Sequence, residues 1–112
     1  MAKNPKFLLS GIGASSGKAE GIVRIVSNNA DNVLFHEEEI LVTKITNPAM
    51  VSIMAKAAAI ICDIGSLTSH PSIVSRELGI PCVVATKNGT TVLKNGMKVK
   101  VDGTIGKVYL IV

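Results

Sequence analysis

The stretch Gly65-Ser66-Leu67-Thr68-Ser69-His70-Pro71-Ser72-Ile73-Val74-Ser75-Arg76-Glu77-Leu78-Gly79-Ile80-Pro81 constrains the fold more than any other part of the chain. Small polar residues open it, a histidine stands directly before a proline, and an amphipathic segment runs on to a glycine. Proline suits the first helical position, because its φ is already helical and the N–H it lacks would have been orphaned there. Gly79 suits the residue just past a helix C-terminus, where the backbone turns left-handed. The two markers predict a helix ending at Leu78, with His70 as its N-cap. An apolar run, Ala59-Ile60-Ile61-Cys62, precedes the stretch, and a second, Pro81 to Ala85, follows it. Strand, loop, helix, strand is the unit of an α/β layered fold. The loop leaves the C-terminal end of a strand, where such folds bind ligands.

The rest of the chain fits that unit. Phe7-Leu8-Leu9, Gly21 to Val26 and Glu39 to Thr43 read as strands, and Met97 to Val101 with Lys107 to Ile111 as a closing hairpin turned at Asp102-Gly103 and Gly106. Asn47-Pro48 opens a helix, Asn as N-cap, with Met50, Val51, Ile53, Met54, Ala57 and Ala58 as its apolar face. Thr90 to Lys94 is a short helix between the turns Asn88-Gly89 and Asn95-Gly96. Ser27 to Glu38 is polar and irregular, with a helical turn at Ala30 to Leu34. Gly11 to Gly21 reads as a glycine-rich connection into the next strand. It is not a P-loop, which needs glycine at Ile12 and Ser or Thr at Ala19, nor a dinucleotide fingerprint, which needs glycine at Ser16. The expected architecture is a compact α/β sandwich forming one domain over residues 1–112.

Composition narrows the function classes. Apolar residues make up 47% of the chain and aromatics only 3%, so the core is aliphatic and no stacking platform for bases is available. The net charge of +4 is spread over Lys3, Lys6, Lys18, Lys44, Lys87, Lys94, Lys98, Lys100 and Lys107 without a cluster, which argues against nucleic acid as a partner. Cys62 and Cys82 lack metal-ligand spacing and sit in apolar runs, as reduced buried thiols of a cytoplasmic protein do. His36 stands beside Glu37, Glu38 and Glu39, but no second histidine follows at metal-binding spacing. It is expected on the surface, and no metal site is expected. The longest apolar stretch, Ala49 to Cys62, contains Ser52 and Lys56 and is too short to span a bilayer, and the first residues lack the pattern of a leader.

His70 is the candidate for chemistry. At a helix N-terminus it faces free backbone N–H groups and the positive end of the dipole. Both favour the neutral ring, which is nucleophilic near neutral pH, its reference pKa being about 6.5. An anion attached to the ring would find donors in the Thr68, Ser69 and Ser72 hydroxyls and in the Gly65 and Ser66 amides. The stretch thus reads as a histidine built to accept a phosphoryl group. The plain alternative is that His70 caps a helix and the hydroxyls make turns. Ser69 would cap as well, so capping gives no reason for a histidine. Asp63 either orients the loop or is an ordinary turn carboxylate. Arg76 and Glu77 are expected in surface pairs, with no part in the chemistry.

These residues also resemble the phosphohistidine (mobile, swivelling) domain of the phosphoenolpyruvate-utilising enzymes, a family that includes phosphoenolpyruvate synthase, pyruvate phosphate dikinase and enzyme I of the sugar phosphotransferase system. The resemblance runs through Gly65, Thr68, Ser69, His70, Ile73, Val74, Arg76, Glu77, Leu78, Gly79, Ile80, Pro81, Val83 and Val84. It departs at Ser66, usually glycine, at Pro71 and Ser72, usually alanines, and at Ser75 and Cys82. It implies a β/β/α swivelling-domain sandwich. His70 would be the phosphohistidine nucleophile, supported by Gly65, Ser66, Thr68, Ser69 and Ser72. The phosphoryl group would come from ATP or phosphoenolpyruvate and pass to a partner active site. Such a chain is a component of a phosphotransferase and is not expected to turn over substrate alone. It would bind no cofactor by itself, Mg²⁺ and ATP or phosphoenolpyruvate belonging to nucleotide-binding or phosphoenolpyruvate/pyruvate-binding partner domains. The other role a domain of this kind can take is that of an unphosphorylated regulatory or docking module beside a metabolic enzyme.

Overall fold

A computed structural model of the chain describes residues 5–27 and 35–111. Eight strands form one continuous sheet in the order β1-β8-β7-β3-β4-β5-β6-β2. They are β1 (Lys6–Ser10), β2 (Ile12–Ser15), β3 (Lys18–Ile25), β4 (Ile40–Thr43), β5 (Ala59–Cys62), β6 (Cys82–Val84), β7 (Lys98–Asp102) and β8 (Lys107–Leu110). The long strand β3 is the hinge between two halves. Its first part pairs antiparallel with β7, from Lys18 opposite Asp102 to Ile22 opposite Lys98. Its last three residues, Val23 to Ile25, pair in parallel with Ile40 to Val42 of β4. From there β4, β5 and β6 run parallel, and β2 closes the edge antiparallel to β6.

The parallel strands are buried on both faces, which is why they appear in the sequence as unbroken apolar runs. Side chains alternate between the faces. Ile40, Val42, Ala59, Ile61 and Val83 pack toward Val99, Val101 and Val108 of the antiparallel half. Leu41, Ile60, Cys62, Cys82 and Val84 pack toward Met50, Ile53, Met54 and Val74 of the helices. The result is a β/β/α sandwich in three layers, as expected.

The helices are short. Asn47 Oδ1 accepts from the Ala49 amide and opens a 3-10 turn, Pro48–Met50, that passes into one α-turn, α1 (Val51–Met54). The expected apolar face buries Met50, Ile53, Met54 and Ala57, while Val51 is exposed. α2 (His70–Leu78) is the long helix and ends on Gly79 at φ +72°, the left-handed position that glycine adopts without Cβ strain. α3 (Gly89–Val92) follows β6.

Two expectations of the fold need correction, and one left open is decided. Gly11 to Gly21 is not a loop, because it contains β2 and the first residues of β3. Gly13 permits this close packing: a Cβ there would lie 2.5 Å from the Gly103 carbonyl oxygen in the β7–β8 turn. His70 is not the N-cap but the first helical residue. Ser69, with extended backbone (φ −78°, ψ 165°), is the cap, and Pro71 is second in the helix. Of the two roles open to Asp63, orienting the histidine loop or serving as a turn carboxylate, its contacts support the second. Its carboxylate accepts from the Thr90 amide (2.9 Å) and hydroxyl (2.5 Å), anchoring the start of α3. The helical turn expected at Ala30 to Leu34 lies outside the described residues.

Candidate functional site

The loops that follow β4, β5 and β6 lie side by side because those strands are parallel neighbours in the sheet. Backbone bonds lock them together: Asp63 N donates to Thr43 O (3.1 Å), Ile64 N to Lys44 O (3.1 Å), Thr86 N to Cys62 O (3.2 Å) and Lys87 N to Asp63 O (2.8 Å). His70 sits at this C-terminal edge, half-buried, at the start of α2.

Its Nδ1 lies 2.7 Å from Thr46 Oγ1, in the loop after β4. Thr46 is buried, so its hydroxyl is fixed in place. Among the described residues Nε2 has no hydrogen-bond partner. The ring is therefore held by one nitrogen and presents the other. Thr46 did not stand out in the sequence, where it is merely the residue before the Asn47 cap. The only available signal is positional: loops after adjacent parallel strands converge.

The loop from Gly65 to Ser69 is built around one carbonyl. Ser66 O accepts from the Ser69 amide (3.2 Å), the Ser69 hydroxyl (2.8 Å) and the Ser72 hydroxyl (2.6 Å). Ser69 Oγ in turn accepts from the Ser66 amide (3.1 Å). Ser66 Oγ and Thr68 Oγ1 are 3.3 Å apart. Ser72 is wholly buried. Ser69 and Ser72 thus spend their protons inside the loop and support it as scaffold rather than facing outward as donors. The Thr68 hydroxyl stands at the exposed surface, and the Gly65 and His70 amides find no acceptor among the described residues. Gly65 has φ +137°, and a Cβ there would lie 3.0 Å from Ser69 Oγ and 3.1 Å from Val84 Cβ, so the loop requires glycine at this point.

Among the described residues Arg76 makes no surface ion pair. Its guanidinium donates to Leu67 O (2.7 Å) in the loop and to Ala14 O (2.8 Å) on β2. Glu77 is exposed. An open groove of about 490 Å³, lined by Gly13 to Ser16, Arg76, Gly79, Gly103 and Thr104, runs beside β2, and no residue of the 65–70 loop lines it.

Behind the site, burial pushes the Cys82 thiol up to about 11 and Cys62 well above the ordinary thiol value, so both are protonated packing groups. His36 is exposed, as expected. Among the described residues no three His, Cys, Asp or Glu side chains gather to hold a metal, and no helix is long and apolar enough to cross a membrane.

The sequence around this histidine, held at a helix N-terminus beside a serine- and glycine-built loop, matches a known family. The PEP-utilising enzyme mobile domain corresponds to residues 35–106. The chain is 54% identical over 104 residues to phosphoenolpyruvate synthase of Pyrococcus furiosus and 52% identical over 104 residues to a probable phosphoenolpyruvate synthase of Archaeoglobus fulgidus. Each alignment covers 93% of this chain but only 13% and 14% of the respective relative, so the chain corresponds to about an eighth of those proteins' length. Among solved structures, that of Enzyme I superposes with a TM-score of 0.58 at 34% identity, covering 67% of this chain and 31% of its own. The chain belongs to the family of PEP-utilising enzyme mobile domains.

Proposed function

We propose that this chain is a phosphoryl carrier whose acceptor atom is His70 Nε2. The single observation that carries the reading is the 2.7 Å contact between His70 Nδ1 and the buried Thr46 hydroxyl, which leaves Nε2 unengaged. With the proton on Nδ1 and donated to Thr46 Oγ1, the Nε2 lone pair is free to attack. It attacks the phosphorus of the donor, an N–P bond forms, and the donor's P–O bond breaks with its electron pair leaving on the donor oxygen. The ring gains positive charge, offset by the attached phosphoryl anion and by the Nδ1–H···Oγ1 bond. Transfer onward reverses the bookkeeping: the N–P electron pair returns to Nε2 as the acceptor oxygen bonds to phosphorus.

The α2 N-terminus and the Thr68 hydroxyl stabilise the phosphoryl charge. No lysine or arginine lies in the loop, so the remaining neutralisation comes from a partner site with its own Mg²⁺. ATP or phosphoenolpyruvate is the donor, bound by nucleotide-binding or phosphoenolpyruvate/pyruvate-binding domains. The buried free thiols accord with a cytoplasmic setting. No observation favours the docking-module role.

Phosphohistidine mapping of protein recovered from its own cells, kept alkaline to spare the N–P bond, tests the proposal. Acid-labile phosphate on His70, absent in His70→Ala, is expected. Wild-type protein that stays unmodified in extracts supplied with ATP or phosphoenolpyruvate would overturn it.

A further inference from the structure

We propose that Arg76 is a positioning residue for phosphoryl transfer, turning the Leu67–Thr68 peptide so that its carbonyl points away from His70; the proposal rests on the carrier reading above. Arg76 lies six residues beyond His70, about 9 Å along the helix axis at 1.5 Å per residue. Its guanidinium draws Leu67 O in that direction at 2.7 Å. In a trans peptide the N–H points opposite to the C=O, and the Thr68 amide on that opposite side donates to Ser66 Oγ (3.4 Å), which holds the same peptide from its other end. The preceding peptide is turned under the loop as well, since Ser66 O takes donors from Ser69 and Ser72. Two successive carbonyls of the loop are thus each held by named donors, Ser66 O from within the loop and Leu67 O from Arg76.

The consequence is electrostatic. A phosphoryl group on the ring carries between about −1.5 and −2 charges and would be repelled by a carbonyl oxygen swung toward it. Arg76 prevents the swing, and it does so as a two-point strap, because its other bond fixes the guanidinium to Ala14 O on β2. A planar fork can satisfy two carbonyls on separate elements in fixed directions, whereas an ammonium is a point charge on a flexible stem. Charge alone therefore does not replace it.

The test compares wild type with Arg76→Lys and Arg76→Met, using phosphoramidate as a small phosphoryl donor that needs no partner protein. His36, exposed and remote from the strap, serves as an internal reference. His70 phosphorylation, followed by ³¹P NMR, is expected to slow at least fivefold in both variants while His36 modification stays constant. The backbone amide shifts of Leu67 and Thr68 are expected to move. Circular dichroism confirms that the variants are folded at the assay temperature. A His70 rate in Arg76→Lys within twofold of wild type overturns the proposal. If wild-type His70 reacts no faster than His36, the carrier reading falls, and the Leu67 and Thr68 amide shifts decide the strap by themselves: unmoved in Arg76→Lys, they overturn it.

Discussion

Thr46→Val probes the hydrogen bond on which the proposed chemistry depends. Valine keeps the volume of threonine in a buried position and deletes only the hydroxyl that faces His70 Nδ1 at 2.7 Å. A hydrogen bond of this kind is worth about 1 kcal/mol net, and leaving the partly buried ring nitrogen unpaired adds up to about another 1 kcal/mol. The ratio of the Nδ1–H to the Nε2–H tautomer should therefore fall by between about fivefold and about thirtyfold. The reactive lone pair on Nε2 becomes correspondingly scarce, and phosphorylation by phosphoramidate slows by a similar factor. Long-range ¹H–¹⁵N correlations of the imidazole read the tautomer directly. Wild type should show a protonated Nδ1 and an unprotonated Nε2 once the ring is neutral, and the variant a mixture shifted toward protonated Nε2. A wild-type ring with its proton on Nε2 would mean that Thr46 donates rather than accepts, and the reasoning would fail. So would a variant with an altered tautomer and an unchanged rate.

The remaining predictions concern stability. Ser75 Oγ is buried on the inner face of α2 with only the Cys82 thiol, a weak partner, beside it among the described residues. Ser75→Ala should raise stability by up to about 1 kcal/mol, by removing the cost of a poorly satisfied hydroxyl and supplying the better helix former; a lower urea midpoint would refute this. Burial works against the Glu39 carboxylate, but hydrogen bonds from Arg24 (3.0 and 3.2 Å) and from the His36 amide (2.9 Å) outweigh it and hold its pKa below the ordinary value. A depressed folded pKa gives stability that is complete above the unfolded-state value, near 4.3, and is lost as pH falls through the folded one. The urea midpoint should therefore drop below about pH 4, and Glu39→Gln should flatten that drop; an identical acid profile in the variant would count against the pair. Cys62 and Cys82, both inaccessible and raised by burial, should react with an aromatic disulfide reagent at pH 8 only after unfolding. Prompt labelling of the native protein would contradict the core packing.

What the sequence disclosed depended on how local each determinant was. β4, β5 and β6 were legible because strands covered on both faces are apolar at every position. β2 was not, since Ile12-Gly13-Ala14-Ser15 has no such run and its partner, β6, lies far along the chain. Proline marked the first turn of α2 but not its register. The first four amides of a helix are all orphaned, so Pro71 is tolerated second as readily as first, and the cap moved to Ser69. Thr46 and Arg76 were missed for a common reason. Thr46 meets a ring 24 residues away, and Arg76 binds a carbonyl 62 residues back in the chain. Only the order of strands in the sheet makes those contacts, and no sequence pattern around either residue encodes it.

That same geometry explains why two of the departures from the family pattern, Ser66 and Pro71, leave the site intact. Ser66 stands where a second glycine is usual, yet the positive φ that demands glycine belongs to Gly65 alone in this loop; the non-glycine residues with positive φ are Glu38, Ala85 and Lys87 among those described. What the loop uses most from position 66 is its carbonyl, which any residue supplies, and the serine hydroxyl reaches only Thr68, meeting its hydroxyl at 3.3 Å and accepting from its amide at 3.4 Å. Pro71 removes one N–H, but an N–H in the first turn has no carbonyl within the helix to bond, so no helical bond is lost. The Pro71 carbonyl faces inward, with the Cys82 thiol at 3.9 Å. Neither residue bonds the imidazole, which is held from the opposite loop by Thr46. In the proposed carrier the positions that matter are therefore those that fix the ring and its surroundings, Thr46 at Nδ1 and Gly65 in the loop, with Arg76 holding the Leu67 carbonyl behind them.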